Sequence, residues 1–288
     1  MRRRLLAAEL RRLRASTGST ADEVGRAFGW SKAKISRYEL SRGGLKPADV
    51  GLLLDFYGVS GTKRAELMAL AEEARYKGWW ESYSDVLPPE QMEYIGLEAE
   101  ATTILDWQIN VVPGLLQTEQ YAMEILSGYR AAASISPLAI QRRLEARLIR
   151  QQLLTRDNPL KLVALLDESV LLRQRGDRSA MHAQLLQLAE AAELPSVAIQ
   201  ILPLSSRNHG LAVDSFSILR FSSLDGSADA RLHDVVSIEH LSNELYVEGE
   251  TDTNRFRLAF DHLTEECLSP EESRELILAI ASQAWGEA

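Results

Sequence analysis

Thr20-Ala21-Asp22-Glu23-Val24-Gly25-Arg26-Ala27-Phe28-Gly29-Trp30-Ser31-Lys32-Ala33-Lys34-Ile35-Ser36-Arg37-Tyr38-Glu39 is the stretch whose reading decides the fold. Thr20, followed three residues later by Glu23, is a capping box: hydroxyl and carboxylate satisfy two backbone amides at a helix start. The short helix it opens is read as burying Val24, Ala27 and Phe28. Gly29 ends that helix and permits a sharp turn, because glycine takes a positive φ without a Cβ penalty. Ser31 caps the next helix, in which Ile35 and Tyr38 share one side. At about 100° per residue, Lys32, Ala33, Ser36 and Arg37 fall on the opposite arc. That arc presents two cations, a hydroxyl and a methyl, groups suited to base edges in a major groove wide enough for a helix. Lys34 lies on the flank, better placed for phosphate than for bases.

Working outward, Leu6, Leu10 and Leu13 recur at i, i+4 and i+7 and put one apolar stripe on a preceding helix. Arg2, Arg3, Arg4, Arg11, Arg12 and Arg14 occupy much of its remainder, and Gly18 is a stop signal. Downstream of Pro47, the sets Val50, Leu53, Leu54, Tyr57 and Leu67, Leu70, Ala71, Ala74 have the same helical spacing. Five short helices with a tight turn between the second and third are a helix-turn-helix arrangement. A plain helical bundle with a charged face is the alternative for the same pattern.

The charge divides at the same place. The chain of 288 residues carries −9 overall, but residues 1–75 hold 15 Lys/Arg against 9 Asp/Glu, net +6, and the rest 17 against 32, net −15. A basic head on an acidic body is the asymmetry of a nucleic-acid-binding domain joined to one that binds something else.

The run Thr20–Glu39 resembles the Cro/CI/Xre family of helix-turn-helix domains, whose pattern T-x-x-x-L-A-x-x-x-G-x-S-x-x-x-I-S-x-x-E is met by Thr20, Gly29, Ser31, Ile35, Ser36 and Glu39. Val24 replaces the family's leucine and Gly25 its small alanine. Ala21 stands where many members carry a phosphate-binding glutamine. The resemblance implies that Lys32, Ala33, Ser36 and Arg37 read bases, with Arg37 the foremost because a guanidinium pairs bidentately with guanine. It implies backbone contacts from Thr20, Ser31, Lys34, Arg42 and Lys46.

Beyond residue 75, Tyr76, Trp79, Trp80 and Tyr83 crowd a segment ending at Pro88-Pro89 and are read as a hydrophobic hinge; a stacking platform for single-stranded nucleic acid is the alternative. Glu90 to about Arg130 reads as helical, broken at Val112-Pro113-Gly114, with Thr118 capping a helix that carries Tyr121, Ile125 and Leu126. A long helix follows Pro137. Its Arg142, Arg143, Arg147 and Arg150 are read as a solvated face with Glu145, an anionic-ligand site being the alternative. The segments 160–166, 196–204, 215–221 and 235–240 read as strands, with a helix over 178–193 between the first two, a βαβ pattern. Asp225-Gly226 is a hairpin signal. Helices over about 251–266 and 270–284 close the chain. The second domain is therefore expected to be α/β or α+β, with a sheet of about four strands.

Catalytic signals are sparse. His182, His209, His233, His240 and His262 form no ligand pair of known spacing, and strand alternation would turn Glu239 and His240 to opposite faces. Asp167-Glu168 and Ser269 before Glu272 read as helix caps. There is no nucleotide loop, no nucleophile elbow and a single cysteine, Cys267, so neither an enzyme nor a cofactor or metal site is expected. No apolar run approaches the roughly 20 residues of a membrane span, and Arg11, Arg12 and Arg14 interrupt any signal-peptide core; a cytoplasmic, nucleoid-associated location is expected.

Glu98-Ala99-Glu100-Ala101, the run Val112-Pro113-Gly114-Leu115-Leu116-Gln117-Thr118-Glu119-Gln120-Tyr121-Ala122, Val197–Pro203 and Ser215–Leu219 are similar to the domain attached to Xre-type regulators abundant in filamentous actinobacteria, with an architecture like that of WhiJ-type developmental regulators. The resemblance implies repression of differentiation or antibiotic genes and a small acidic partner protein. The chain is thus read as residues 1–75, an all-α five-helix Xre-type DNA-binding domain; 76–95, an aromatic hinge; and 96–288, a regulatory and dimerisation domain. The expected function is a homodimeric repressor binding pseudo-palindromic double-stranded DNA. The rival is an antitoxin-like interaction protein whose DNA binding is autoregulatory.

Overall fold

A computed structural model describes residues 2–39, 46–74, 78–128, 135–206, 213–221, 234–240 and 244–286. Two units, Met1–Glu81 and Ser82–Ala288, each hold their own core. Among the described residues of the first, the apolar repeats form five helices: α1 (Arg2–Ser16), α2 (Ala21–Ala27), α3 (Lys32–Glu39), α4 (Pro47–Phe56) and α5 (Gly61–Glu73). Leu6, Leu10, Val24, Ile35, Tyr38, Val50, Leu53, Leu54, Tyr57, Leu67 and Ala71 meet in one cluster. Each fully buried aliphatic side chain there stabilises by about 1.5–3 kcal/mol.

The buried face of α2 differs from the expected one. Val24 and Gly25 are buried and Ala21 and Phe28 half-buried, whereas Ala27 is exposed. The helical repeat allows either face: Ala21, Val24, Gly25 and Phe28 span an arc of about 100°, as do Val24, Ala27 and Phe28, and packing selects the first. A helix of seven residues has one narrow contact face, and the glycine places it.

In the second unit, α6 (Pro89–Glu100) leads into β1 (Thr103–Gln108), and α7 (Glu119–Gly128) and α8 (Pro137–Gln151) lead to β2 (Lys161–Asp167). The short α9 (Ser169–Leu172) and α10 (Arg178–Ala191) cross to β3 (Val197–Leu202), giving the expected βαβ unit. Then come β4 (Phe216–Arg220), β5 (Val235–Glu239), β6 (Glu244–Val247), α11 (Glu250–Glu266) and α12 (Pro270–Trp285). The strands form one mixed sheet in the order β3-β2-β1-β4-β5-β6, parallel from β3 to β1 and antiparallel from β1 to β6.

The sheet has six strands where about four were expected. Thr103–Gln108, read as part of a helical stretch, is the strand at its centre. Four consecutive residues of β1, Ile104 to Trp107, are buried, so it lacks the alternation that marks a half-exposed strand. The other addition, β6, is a four-residue edge strand with no buried residue. The Asp225-Gly226 hairpin signal lies outside the described residues.

Two apolar layers flank the sheet. On one face Ile104, Leu162, Ala164, Leu166, Ile199, Ile201 and Leu219 pack with Met181, Leu185 and Leu188 of α10 and Ile277 and Ile280 of α12. On the other, Leu105, Trp107, Leu165, Phe216, Ile218 and Val236 pack with Phe260 and Leu263 of α11. Helices on both faces of this mixed sheet are the three-layer arrangement that a strand buried on both sides requires.

Candidate nucleic-acid interface

The α2–turn–α3 element is built by local chemistry. The Glu23 amide donates to Thr20 Oγ1 at 3.2 Å and the Thr20 amide donates to Glu23 Oε2 at 2.8 Å, completing the capping box. Glu23, with those bonds from Thr20, is held below the usual carboxylate range. Gly29 takes φ +65°, where a side chain would be strained. The Trp30 amide donates to the Gly25 carbonyl at 2.8 Å, so the chain re-enters almost on top of α2. A Cβ on Gly25 would stand 2.7 Å from the Trp30 carbonyl oxygen. An alanine does not fit here without a backbone shift. Ser31 Oγ accepts from the Lys34 amide at 3.2 Å and caps α3.

Three side-chain clamps then fix α3. Arg14 of α1 grips Glu39 at the end of α3 with two bonds of 2.6 and 2.9 Å, and donates to the Ser19 carbonyl at 2.8 Å. That pairing raises the Arg14 pKa above its ordinary value. Tyr57, whose hydroxyl has no hydrogen-bond partner among the described residues, stands nearby; burial, with the Glu39 charge, pushes its pKa up to about 12. On the other flank, Lys34 Nζ lies 2.9 Å from Asp49 Oδ2 of α4, and Tyr38 donates its hydroxyl to the same oxygen. An aromatic seam closes the inner side, with Phe28–Trp30, Phe28–Phe56 and Trp30–Tyr38 centroids at 4.9, 5.6 and 6.3 Å.

What these clamps leave outward is the arc read from periodicity. Lys32, Ala33 and Arg37 are exposed and Ser36 is half-buried. Among the described residues neither Lys32 nor Arg37 has a hydrogen-bond or ion-pair partner. Of the expected backbone contacts, Lys46 is exposed at the N-cap of α4, and Thr20 and Ser31 are exposed with their oxygens engaged in caps. Lys34 is engaged with Asp49. Arg42 lies outside the described residues. Arg14, Trp30 and Asp49 are the site residues that sequence reasoning missed. No helical spacing rule pointed to them: Arg14 and Asp49 lie on other helices, and Trp30 precedes α3.

The arginines of α8 are not the solvated face expected of them. Arg142 donates to the Ser82 carbonyl at 2.6 Å and to the Asp85 carboxylate; Arg143 Nε donates to the Val86 carbonyl at 2.7 Å. Arg147 donates to Gln117 Oε1 at 2.6 Å. Arg150 makes two bonds of 2.6 and 2.7 Å to Glu98, both side chains being buried. Burial opposes its charge, but Glu98 holds its pKa above the ordinary value. Each arginine is spent on the domain's own backbone or side chains.

Beside that pair, polar residues run across four strands in register: Asp106, Ser217, Ser237 and Tyr246. Ser217 and Gln108 each donate to Asp106 Oδ1 at 2.9 Å, Ser237 donates to Glu244, and Tyr246 donates to the Glu90 carbonyl at 2.9 Å. Burial pushes the Asp106 carboxyl up to about 6 and that of Glu244 up to about 7.

Of the segments read as caps, Ser269 with Glu272 completes a capping box on α12. Asp167 Oδ1 accepts from the Ser169 amide at 2.9 Å at the start of α9, whose N-cap residue, Glu168, makes no side-chain cap bond and accepts instead from the Leu204 amide at 2.7 Å. His209 and His233 lie outside the described residues. Among the described residues, no three of the His, Cys, Asp and Glu side chains are grouped to hold a metal ion, and no helix is long and apolar enough to cross a membrane.

Residues 5–67 match the family described as a helix-turn-helix domain, the domain type of DNA-binding regulators. Residues 91–279 match the family described as a domain of unknown function, DUF5753. The chain belongs to the DUF5753 family. No curated protein and no solved structure gives a significant match. The match to DUF5753 covers the whole sheet and both flanking layers, from α6 to most of α12, so the Glu98–Arg150 pair and the polar row are parts of the DUF5753 domain.

Proposed function

We propose that this DUF5753 protein is a sequence-specific transcription regulator that reads the major groove of double-stranded DNA with α3. The observation that carries the reading is the outward arc of α3. Two cations with no hydrogen-bond or ion-pair partner among the described residues, Lys32 and Arg37, flank Ala33 and Ser36 on a helix clamped by α1 and α4. Such an arc matches what base edges and the adjacent phosphates recognise. The basic balance of residues 1–75 adds the electrostatic footprint.

In this reading the protein works in the cytoplasm by binding and not as an enzyme. It acts as a repressor, as a homodimer whose two recognition helices lie about 34 Å apart on a pseudo-palindrome. The DUF5753 domain supplies the dimer contact and receives a protein or ligand signal, shifting the population of DNA-competent dimers. The resemblance to WhiJ-type regulators supports a developmental role and a small acidic partner.

The test is fluorescence anisotropy of the full chain on its own upstream DNA across a salt series, for wild type and Arg37→Ala. Salt-sensitive binding with a sequence preference is expected. Arg37→Ala is expected to lose about 1–3 kcal/mol of that preference. A wild type that binds its upstream DNA no better than random DNA would sink the reading.

A further inference from the structure

Lys34 lies on α3 between the outward arc and the buried side, where the helical wheel places a phosphate contact. Its ammonium is already held. It stands 2.9 Å from Asp49 Oδ2, with the two side chains only 25% and 16% exposed. It also lies 3.5 Å from the ring centroid of Trp30 and 5.5 Å from that of Tyr38. Tyr38, on the inner side of α3, donates its hydroxyl to the same carboxylate oxygen. Burial opposes ionisation of Asp49, but Tyr38 and Lys34 together hold its carboxyl below the ordinary range.

One carboxylate of α4 therefore receives a donor from the flank of α3 and a donor from its inner face. The ammonium between them covers the indole of the residue that leads into the helix. A phosphate brought to Lys34 would also approach the Asp49 charge, and like charges at that range repel. Lys32 and Arg37 meet no such obstacle among the described residues.

We propose that Lys34 and Asp49 form a pin that sets the angle of the recognition helix: both are positioning residues for base reading, and Lys34 is not a phosphate contact. The proposal rests on the DNA-reading role argued above and deepens it. Base-edge contacts tolerate only about 10–20° of misorientation. The pin thus acts on the reach of Lys32, Ala33, Ser36 and Arg37 without touching DNA.

The test uses the full chain, a duplex enriched by the wild-type protein from a random-sequence pool, and a scrambled duplex of the same composition. Affinities for both are measured between about 50 and 200 mM salt, with thermal melts establishing that each variant is folded at the assay temperature. Lys34→Met and Asp49→Asn are each expected to lower the specific-to-scrambled affinity ratio about tenfold, as for coupled contacts of ordinary strength. The double variant is expected to lose no more than either single one. Tyr38→Phe, which removes one donor and keeps the ring, is the mild variant and should lose less. The log–log salt slope of Lys34→Met should match wild type. A slope shallower by about 0.9 with the ratio intact would make Lys34 a phosphate contact and overturn the pin. So would losses that add in the double variant, or an unchanged ratio in all three folded single variants. A wild type that enriches no duplex would overturn the DNA-reading role, and the pin with it.

Discussion

Two helices of this protein carry basic runs that look alike in sequence, and the structure uses them in opposite ways. On α3, Lys32 and Arg37 face outward with no partner among the described residues. On α8, Arg142, Arg143, Arg147 and Arg150 each donate to a carbonyl or side chain of their own domain. Charge pattern alone does not distinguish a cation offered to a partner from one consumed by the fold. The difference lies in what the neighbouring elements present. Beside α8 are the backbone carbonyls of Ser82 and Val86 and a buried carboxylate, Glu98, all of which accept from its arginines. Among the described residues the outward arc of α3 meets no such acceptor for Lys32 or Arg37.

The largest effect that would test this contrast is expected at Arg150. Arg150→Met removes the guanidinium and leaves Glu98, 1% exposed, as an uncompensated buried charge. The expected loss is about 3–5 kcal/mol, read as a lower urea midpoint for the DUF5753 domain. A loss below about 1 kcal/mol would mean that α8 is no more committed than α3.

The buried carboxylates beside this pair predict a pH effect in the same domain. Folding raises the Asp106 carboxyl from 3.8 to about 6 and that of Glu244 from 4.5 to about 7, burial being the main cause of each shift. In both cases the folded form binds its proton more tightly. The associated stability is present in full below about pH 4 and is lost as pH rises through 6 and 7. The unfolding free energy should fall between pH 4.5 and 7.5 by an amount of order 2–3 kcal/mol for each of the two groups. Asp106→Asn should flatten the lower part of the curve, and a flat wild-type curve would show that these groups are not shifted.

A smaller effect is expected at the turn that presents α3. Gly25→Ala drives a methyl to within 2.7 Å of the Trp30 carbonyl oxygen. Overpacking of this kind costs about 1–3 kcal/mol and should appear in a melt of the helix-turn-helix unit. The smallest effect is the converse of the first: Arg37→Ala removes no hydrogen bond or ion pair among the described residues and should change stability by less than about 0.5 kcal/mol, while weakening DNA recognition as argued above. A large loss of stability there would mean that Arg37 too is spent on the fold.

Much of the helix-turn-helix was legible because its signals are local. Thr20 with Glu23, Gly29, Ser31 and the spacing of Ile35 and Tyr38 act within one or two turns, and each has the role its spacing implied. The central strand was not legible. β1 is buried on both faces, so Thr103–Gln108 carries no period of two, and its one charged residue, Asp106, reads as evidence against a core strand. The Ala27 error has a similar origin, since only packing shows which arc of a seven-residue helix turns inward.

For the candidate site, the sequence by itself determined which residues occupy the outer arc of α3, because the helical repeat assigns faces from spacing alone. It also determined the two-unit organisation, through the opposite charge and changed periodicity of the two parts. Only the tertiary structure decided which cations are free. Arg14 meets Glu39 across 25 positions, Lys34 meets Asp49 across 15, and Arg150 meets Glu98 across 52. Pairings of that range are set by how helices pack, and no local rule of spacing encodes them.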